Sequence, residues 1–290
     1  MSTVALKELS RSKCFAGHVI KYSHPSRLLG CDMKFSMFLP ESKPLEKREQ
    51  KLPVLYFLSG LTCTEDNFMQ KAGAQRKAAQ EGIILVAPDT SPRGLGIEGE
   101  DDSWDLGTGA GFYVDATTEK WKQYKMYSYI TEELPGIINQ SFPVDTTRVS
   151  IAGHSMGGHG ALVIGLKNPD KYRSISAFSP IANPTDCPWG VKAFSAYLGP
   201  DKDAWKAYDA SELIANYSGP SKKILVDQGK ADQFLEEQLK VERLTKAKND
   251  SGKNVLDLSL RLHDGYDHSY YFISTFIEEH LEFHAKQLKA

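Results

Sequence analysis

Apolar residues fall along this chain in short dense runs separated by longer stretches in which they recur at helical spacing. Residues 53–58 and 82–87 are almost continuously apolar, and 148–152, 174–178 and 223–226 form further short runs. Runs of this kind suit central strands of a parallel sheet covered on both faces. Residues 32–39 alternate apolar and polar positions. Residues 256–262 alternate strictly, with Leu256, Leu258, Leu260 and Leu262 on one side, which suits a strand nearer the sheet edge. Between these runs, residues 124–139 place Met126, Tyr129, Ile130, Leu134, Ile137 and Ile138 at helical spacing, interrupted by Pro135. Residues 158–167, 232–246 and 269–286 are the other predicted helices. A meander followed by strand–helix repeats predicts an α/β fold with a mostly parallel central sheet and helices on both faces. No linker-like stretch divides the pattern, so residues 1–290 are expected to form a single domain.

One junction between a predicted strand and a predicted helix carries chemistry. Gly153-His154-Ser155-Met156-Gly157 reads G-x-S-x-G, preceded by the apolar run 148–152 and followed by the small, apolar segment 158–167. A serine on a sharp strand-to-helix turn is the nucleophile elbow of α/β-hydrolases. The turn exposes the hydroxyl and aims the N–H of Met156 at an incoming carbonyl oxygen. A serine needs a base, and the base needs an acid to orient it. In this fold class the order along the chain is Ser, then Asp or Glu, then His. His159 follows too closely and points along its own helix. His280 and His284 sit late in the last helix, where solvated positions are expected. His263 ends the strand 256–262, and His268 lies in the loop just beyond it. Loops at strand carboxyl ends carry the chemistry in open α/β sheets, which favours His268. The acid should follow the strand ending at residues 226–229. Asp232 occupies the loop position, and Asp227, within the strand, is its rival. The second oxyanion donor should come from the loop 59–64, where the N–H of Leu61 is the natural partner of that of Met156.

Composition narrows the alternatives. The chain has 290 residues, 41% of them hydrophobic, and a formal net charge of −2. That balance leaves no electrostatic footprint for nucleic acid or an anionic membrane. No apolar run approaches a membrane span, and residues 1–13 lack the apolar core of a signal peptide. Residues 41–51 mix both charge signs and read as a solvated loop. Cys14, Cys31, Cys63 and Cys187 fit no zinc spacing and read as reduced thiols. No metal or other cofactor is expected. Residues 94–99 match G-x-G-x-x-G but precede an acidic loop rather than a helix, so they are read as a loop and not as a dinucleotide site. The aromatic, glycine-rich stretch 104–113 is of a kind that builds either a binding site or a surface connection.

Several blocks are more specific than G-x-S-x-G. Residues 58–64 (LSGLTCT), 87–94 (APDTSPRG), 109–113 (GAGFY), 153–160 (GHSMGGHG) and 265–272 (GYDHSYYF) closely resemble the S-formylglutathione hydrolase (esterase D) family, as do 188–190 (PWG) and 192–194 (KAF). The resemblance runs nearly end to end. It implies an α/β-hydrolase fold and the triad Ser155, Asp232 and His268. It also implies a cytoplasmic enzyme, commonly a homodimer, that acts on a small thioester substrate in formaldehyde detoxification and on simple esters besides. It places Cys63 beside the active site, which would account for the family's thiol sensitivity. A broad-specificity carboxylesterase would share all of these catalytic residues.

Overall fold

The computed structural model describes residues 5–41 and 51–290. Most of the charged loop expected at 41–51, and residues 1–4, lie outside the described residues. Among those described, nine strands form one sheet: β1 (Lys7–Lys13), β2 (Gly17–Pro25), β3 (Asp32–Pro40), β4 (Leu52–Leu58), β5 (Ile84–Pro88), β6 (Val144–His154), β7 (Ser174–Phe178), β8 (Lys222–Gly229) and β9 (Leu256–His263). Their spatial order is β1-β2-β3-β5-β4-β6-β7-β8-β9. The first three strands and the β3–β5 contact are antiparallel, and every pairing from β5 to β9 is parallel.

The dense apolar runs became the central strands because both of their faces are covered. On β4, Val54, Tyr56 and Leu58 point into one core with Ile151, Ile175 and Val226. Leu55 and Phe57 point into a second core with Leu85, Ala152 and Phe178. The helix Met156–Lys167 packs in the first core, and the C-terminal helix Tyr270–Leu288 in the second. The alternating strand β9 is at the sheet edge, as its pattern predicts, with Leu256 buried and Leu262 exposed. Strands β1 and β2 were not legible as elements. All of β1 is exposed, so it has no apolar face to signal a strand; it pairs in the sheet with β2 alone, and Tyr22 Oη donates to Glu8 while Lys13 pairs with Glu41.

The predicted helices exist with local adjustments. Around Pro135 the helical segment passes through a π-turn, Tyr129–Glu133, before Leu134–Ser141. Proline has no N–H to give to the carbonyl four residues back. That carbonyl, on Thr131, accepts from Lys171 Nζ instead. Residues 232–246 are not one helix. A π-turn, Leu235–Leu239, ends at Lys240 with a φ of 49°, and a separate helix runs Glu242–Ser251. Among the described residues no helix is long and apolar enough to cross a membrane.

His280 and His284 correct an expectation. Both were placed on a solvated face, and both are fully buried. They share a stripe with Ile273, Ile277, Leu281 and Leu288, spaced three and four apart, which is the face turned to the sheet. There they complete a polar seam. His280 Nδ1 pairs with Ser176 Oγ at 2.9 Å, Ser176 Oγ with His284 Nε2 at 2.8 Å, and His284 Nδ1 with Ser174 Oγ at 2.8 Å. Burial holds both imidazoles below the usual histidine range. It does the same for His154 and brings His159 down to about 4. The unfolded chain takes up protons at these sites from about pH 6.5 downward, and the folded chain does not. Stability is therefore complete above that pH and falls on acidification, His159 alone contributing on the order of 3 kcal/mol by the time pH reaches its folded value. The urea midpoint should drop steeply between neutrality and about pH 4.5; a flat midpoint over that range would show that these histidines are not held neutral.

Candidate active site

Ser155 sits between β6 and the helix Met156–Lys167 with φ 57° and ψ −120°, a conformation strained for any residue with a Cβ. The turn is held by Ser155 N–H donating to Phe178 O at 2.9 Å and by Ser155 O accepting from His159 N–H at 3.0 Å. The glycines on either side are required by close approach. A Cβ on Gly157 would lie 2.0 Å from Leu58 O, and one on Gly153 2.1 Å from Gly157 O. Ser155 is buried, its Oγ makes no hydrogen bond among the described residues, and it lines a cavity of about 200 Å³.

His268 lines the same cavity. Its Nδ1 pairs with Asp232 Oδ2 at 2.6 Å, which leaves Nε2 free. The Asp232 side chain is wholly buried. Phe234 N–H donates to its Oδ1 at 2.9 Å, and Gln228 Nε2 to its Oδ2 at 3.1 Å. Burial alone would raise this carboxyl. The bond and charge of His268, with the two further donors, outweigh it and hold the group below the ordinary carboxylate value. Asp232 is thus ionised at neutral pH and can stabilise an imidazolium.

The rival acid is elsewhere. Asp227 points to the opposite side of β8 and receives both Arg261 Nε and Nη2 at 2.6 Å. His280 Nε2 lies 3.2 Å and His263 Nε2 3.3 Å from it. It anchors the C-terminal helix to the sheet. His159, set aside as base, is buried with Nε2 2.9 Å from Phe112 O.

Leu61 lines the cavity, and its N–H has no partner among the described residues. Met156 is the first residue of its helix, so its N–H has no intrahelical acceptor. Both expected oxyanion donors are therefore unengaged. The Leu61 loop is rigid for two reasons. Thr64 caps the helix Glu65–Lys71 in a capping box with Asn67. From below, the stretch 104–113 supports it: Tyr113 Oη donates to Ser59 O at 2.9 Å, and Thr62 N–H to Gly109 O at 2.9 Å. That stretch is no surface connection, because Phe112 and Tyr113 are fully buried and Trp104 reaches the cavity. Residues 94–99 form a loop, as read, folded over the Glu100 carboxylate, which accepts from Leu95 and Ile97 N–H.

Cys63 also lines the cavity, half-buried. The wall has three further aromatic residues, of which only Trp104 fell in a stretch read as a candidate binding site. Trp104 and Trp189 meet edge to face at 5.5 Å, Trp189 packs on Phe234 at 4.8 Å, and Phe234 meets the His268 ring edge to face at 5.1 Å. Trp189 stands in the PWG block and Phe234 only two residues past Asp232, but nothing local assigns either to the site. His154, inside the motif, also faces the cavity, with both ring nitrogens unpartnered. Burial and the neighbouring His268 charge keep it well below the usual range, so it stays neutral beside His268. Among the described residues no cluster of three or more His, Cys, Asp or Glu could hold a metal ion.

Fold and site together are those of an α/β serine hydrolase. A family profile described as "Putative esterase" matches residues 26–283. The rat S-formylglutathione hydrolase is 56% identical over 98% of this chain and 99% of its own. The Arabidopsis thaliana S-formylglutathione hydrolase is 55% identical over 98% of each. The solved structure of an S-formylglutathione hydrolase from Agrobacterium tumefaciens superposes with a TM-score of 0.91 at 46% identity, covering 97% of this chain and 99% of that one. This chain belongs to the S-formylglutathione hydrolase family of esterases.

Proposed function

We propose that this protein is a thioesterase that hydrolyses S-formylglutathione to formate and glutathione, using Ser155, His268 and Asp232 with the N–H groups of Leu61 and Met156. What carries the reading is near-full-length identity of 56% to a hydrolase of that name, together with an ionised Asp232 bonded to His268 on the cavity that Ser155 lines. Ser155 Oγ attacks the formyl carbon while His268 Nε2 takes its proton. The oxyanion is received between Leu61 and Met156 N–H. The C–S bond then breaks. A thiol ionises near pH 8.5, so the thiolate departs readily; the His268 imidazolium then gives its proton to the departing sulfur or to solvent and is a neutral base again. Water, deprotonated by His268, attacks formyl-Ser155; formate leaves, and Ser155 recovers its proton. No step calls for a cofactor.

A cavity of about 200 Å³ is smaller than a drug-sized site and suits a short acyl group. Its Trp104, Trp189 and Phe234 walls are apolar, which favours simple short-chain esters as side substrates. The broad carboxylesterase is therefore the second reading. Comparison of kcat/KM for S-formylglutathione and 4-nitrophenyl acetate separates the two. The thioester should win by at least about tenfold, or 1.4 kcal/mol of transition-state binding. Equal values identify a general carboxylesterase. The family resemblance supports a homodimer in the cytoplasm, which sedimentation and cell fractionation test.

Cys63 makes this enzyme sensitive to alkylation without being part of its chemistry. Burial pushes its thiol up, opposed by the charge of Lys71 and by the bond from Gly60. Iodoacetamide inactivation should be slow at neutral pH and keep rising with pH beyond the range of a free thiol, since the thiolate is the nucleophile. Cys63→Ser should keep its turnover and resist the reagent. Inactivation of that variant at the wild-type rate would assign the sensitivity to another thiol.

A further inference from the structure

Beside the catalytic cavity lies a second one of about 480 Å³, lined by Lys71, Ser269, Tyr270, Tyr271 and Ser274. The two are neighbours. Ser269 directly follows His268, and the Tyr270 ring centroid is 6.0 Å from that of His154, itself 4.5 Å from that of His268. Lys71 Nζ lies 5.7 Å from the Tyr270 centroid. Lys71 ends the helix that the capping box at Thr64 ties to the Leu61 loop, so its place relative to the oxyanion donors is set.

Lys71 differs from the other cations around the site. Arg93 is neutralised by Asp89, Lys192 by Asp105 and Lys230 by Asp264. Lys71 is exposed and makes no salt bridge or hydrogen bond within the described residues. Asp267, close by in sequence, is held by Ser269 N–H and Oγ. The second cavity thus offers one uncompensated positive charge and the exposed ring of Tyr271.

The catalytic cavity has room for an acyl carbon and sulfur but not for a tripeptide. Glutathione bears a carboxylate at each end, and a three-residue chain extends to about 10 Å, long enough to reach from one cavity into the next. Resting on the S-formylglutathione reading, we propose that the second cavity is the subsite for a carboxylate-bearing arm of the thiol leaving group, with Lys71 as its counter-charge. Lys71 then sets specificity for the acidic thiol and takes no part in bond breaking.

The test compares two formyl thioesters: S-formylglutathione, and S-formyl-N-acetylcysteamine, which has the same reacting bond and no carboxylate. Lys71→Ala should raise KM for S-formylglutathione about fivefold with kcat maintained, as expected for a partly exposed ion pair. Lys71→Glu should raise it further, and Lys71→Arg should restore most of the affinity. The ratio of kcat/KM between the two thioesters should fall in step. High salt should weaken wild-type KM and leave that of Lys71→Ala nearly unaffected, because the contact is screened. If both Lys71→Ala and the charge-reversing Lys71→Glu keep the ratio within about twofold of wild type, the subsite is overturned while the substrate reading stands. A wild-type enzyme that cleaves the cysteamine thioester but not S-formylglutathione overturns the substrate reading, and the subsite with it.

Discussion

Ser155→Ala should lower kcat by about 10⁵-fold or more and leave the protein folded, because members of a triad act as a unit and the loss of one removes nearly the whole nucleophilic contribution. His268→Ala should be comparable. What survives in either variant is binding and the oxyanion hole, worth about 10³ over water. The substitution removes one oxygen that makes no hydrogen bond among the described residues, and it relieves nothing of the strained turn, so the melting temperature should shift by no more than about 2 °C. A folded Ser155→Ala enzyme with more than about 1% of wild-type turnover would remove the serine from the mechanism.

The two buried aspartates of β8 and its following loop should respond in opposite ways. Asp232→Asn keeps the shape of the site but no longer holds His268 in the tautomer that leaves Nε2 free, and should cost about 10⁴ in kcat with little change in stability. Asp227→Asn breaks the paired contact with Arg261 in a place where the carboxylate is fully buried. Removing one partner of a buried ion pair costs about 3–5 kcal/mol, equivalent to a fall of roughly 10 °C in melting temperature for a chain of this size. Turnover per folded molecule should remain within about tenfold of wild type, since Asp227 faces away from the cavity. Kinetics and thermal melts on the two variants decide between them. The reverse pattern, with Asp227→Asn inactive and Asp232→Asn merely unstable, would exchange their roles.

Much of the site was legible because its parts are local. The elbow is a contiguous motif, and its glycines are dictated by backbone contacts that no side chain can share. The order of serine, acid and base along the chain follows from parallel strand topology, so candidate positions could be counted off strand ends. The choice between Asp227 and Asp232 rested on the same reasoning: a residue inside β8 alternates onto a sheet face, whereas one past its end can turn toward the site. The burial of His280 and His284 was misread although its signal was present. Their spacing matched the apolar stripe of the last helix, but a polar side chain on such a stripe announces burial only when its partners are known. Those partners, Ser174 and Ser176, lie more than a hundred positions away.

By itself the sequence determined the strand–helix alternation, the parallel core of the sheet, the serine at the elbow, and the short lists from which the candidate acid, base and oxyanion donors came. Each depends on residues near one another in the chain, where periodicity and turn chemistry act directly. Tertiary structure alone decided the aromatic wall of Trp104, Trp189 and Phe234, the neutral His154 beside the base, the polar seam under the last helix, and the placing of Lys71 next to the catalytic cavity. It also decided that the exposed, polar β1 is a strand. These features arise where segments far apart in sequence meet. Their energetics come from burial and from pairing across elements, which no local pattern encodes.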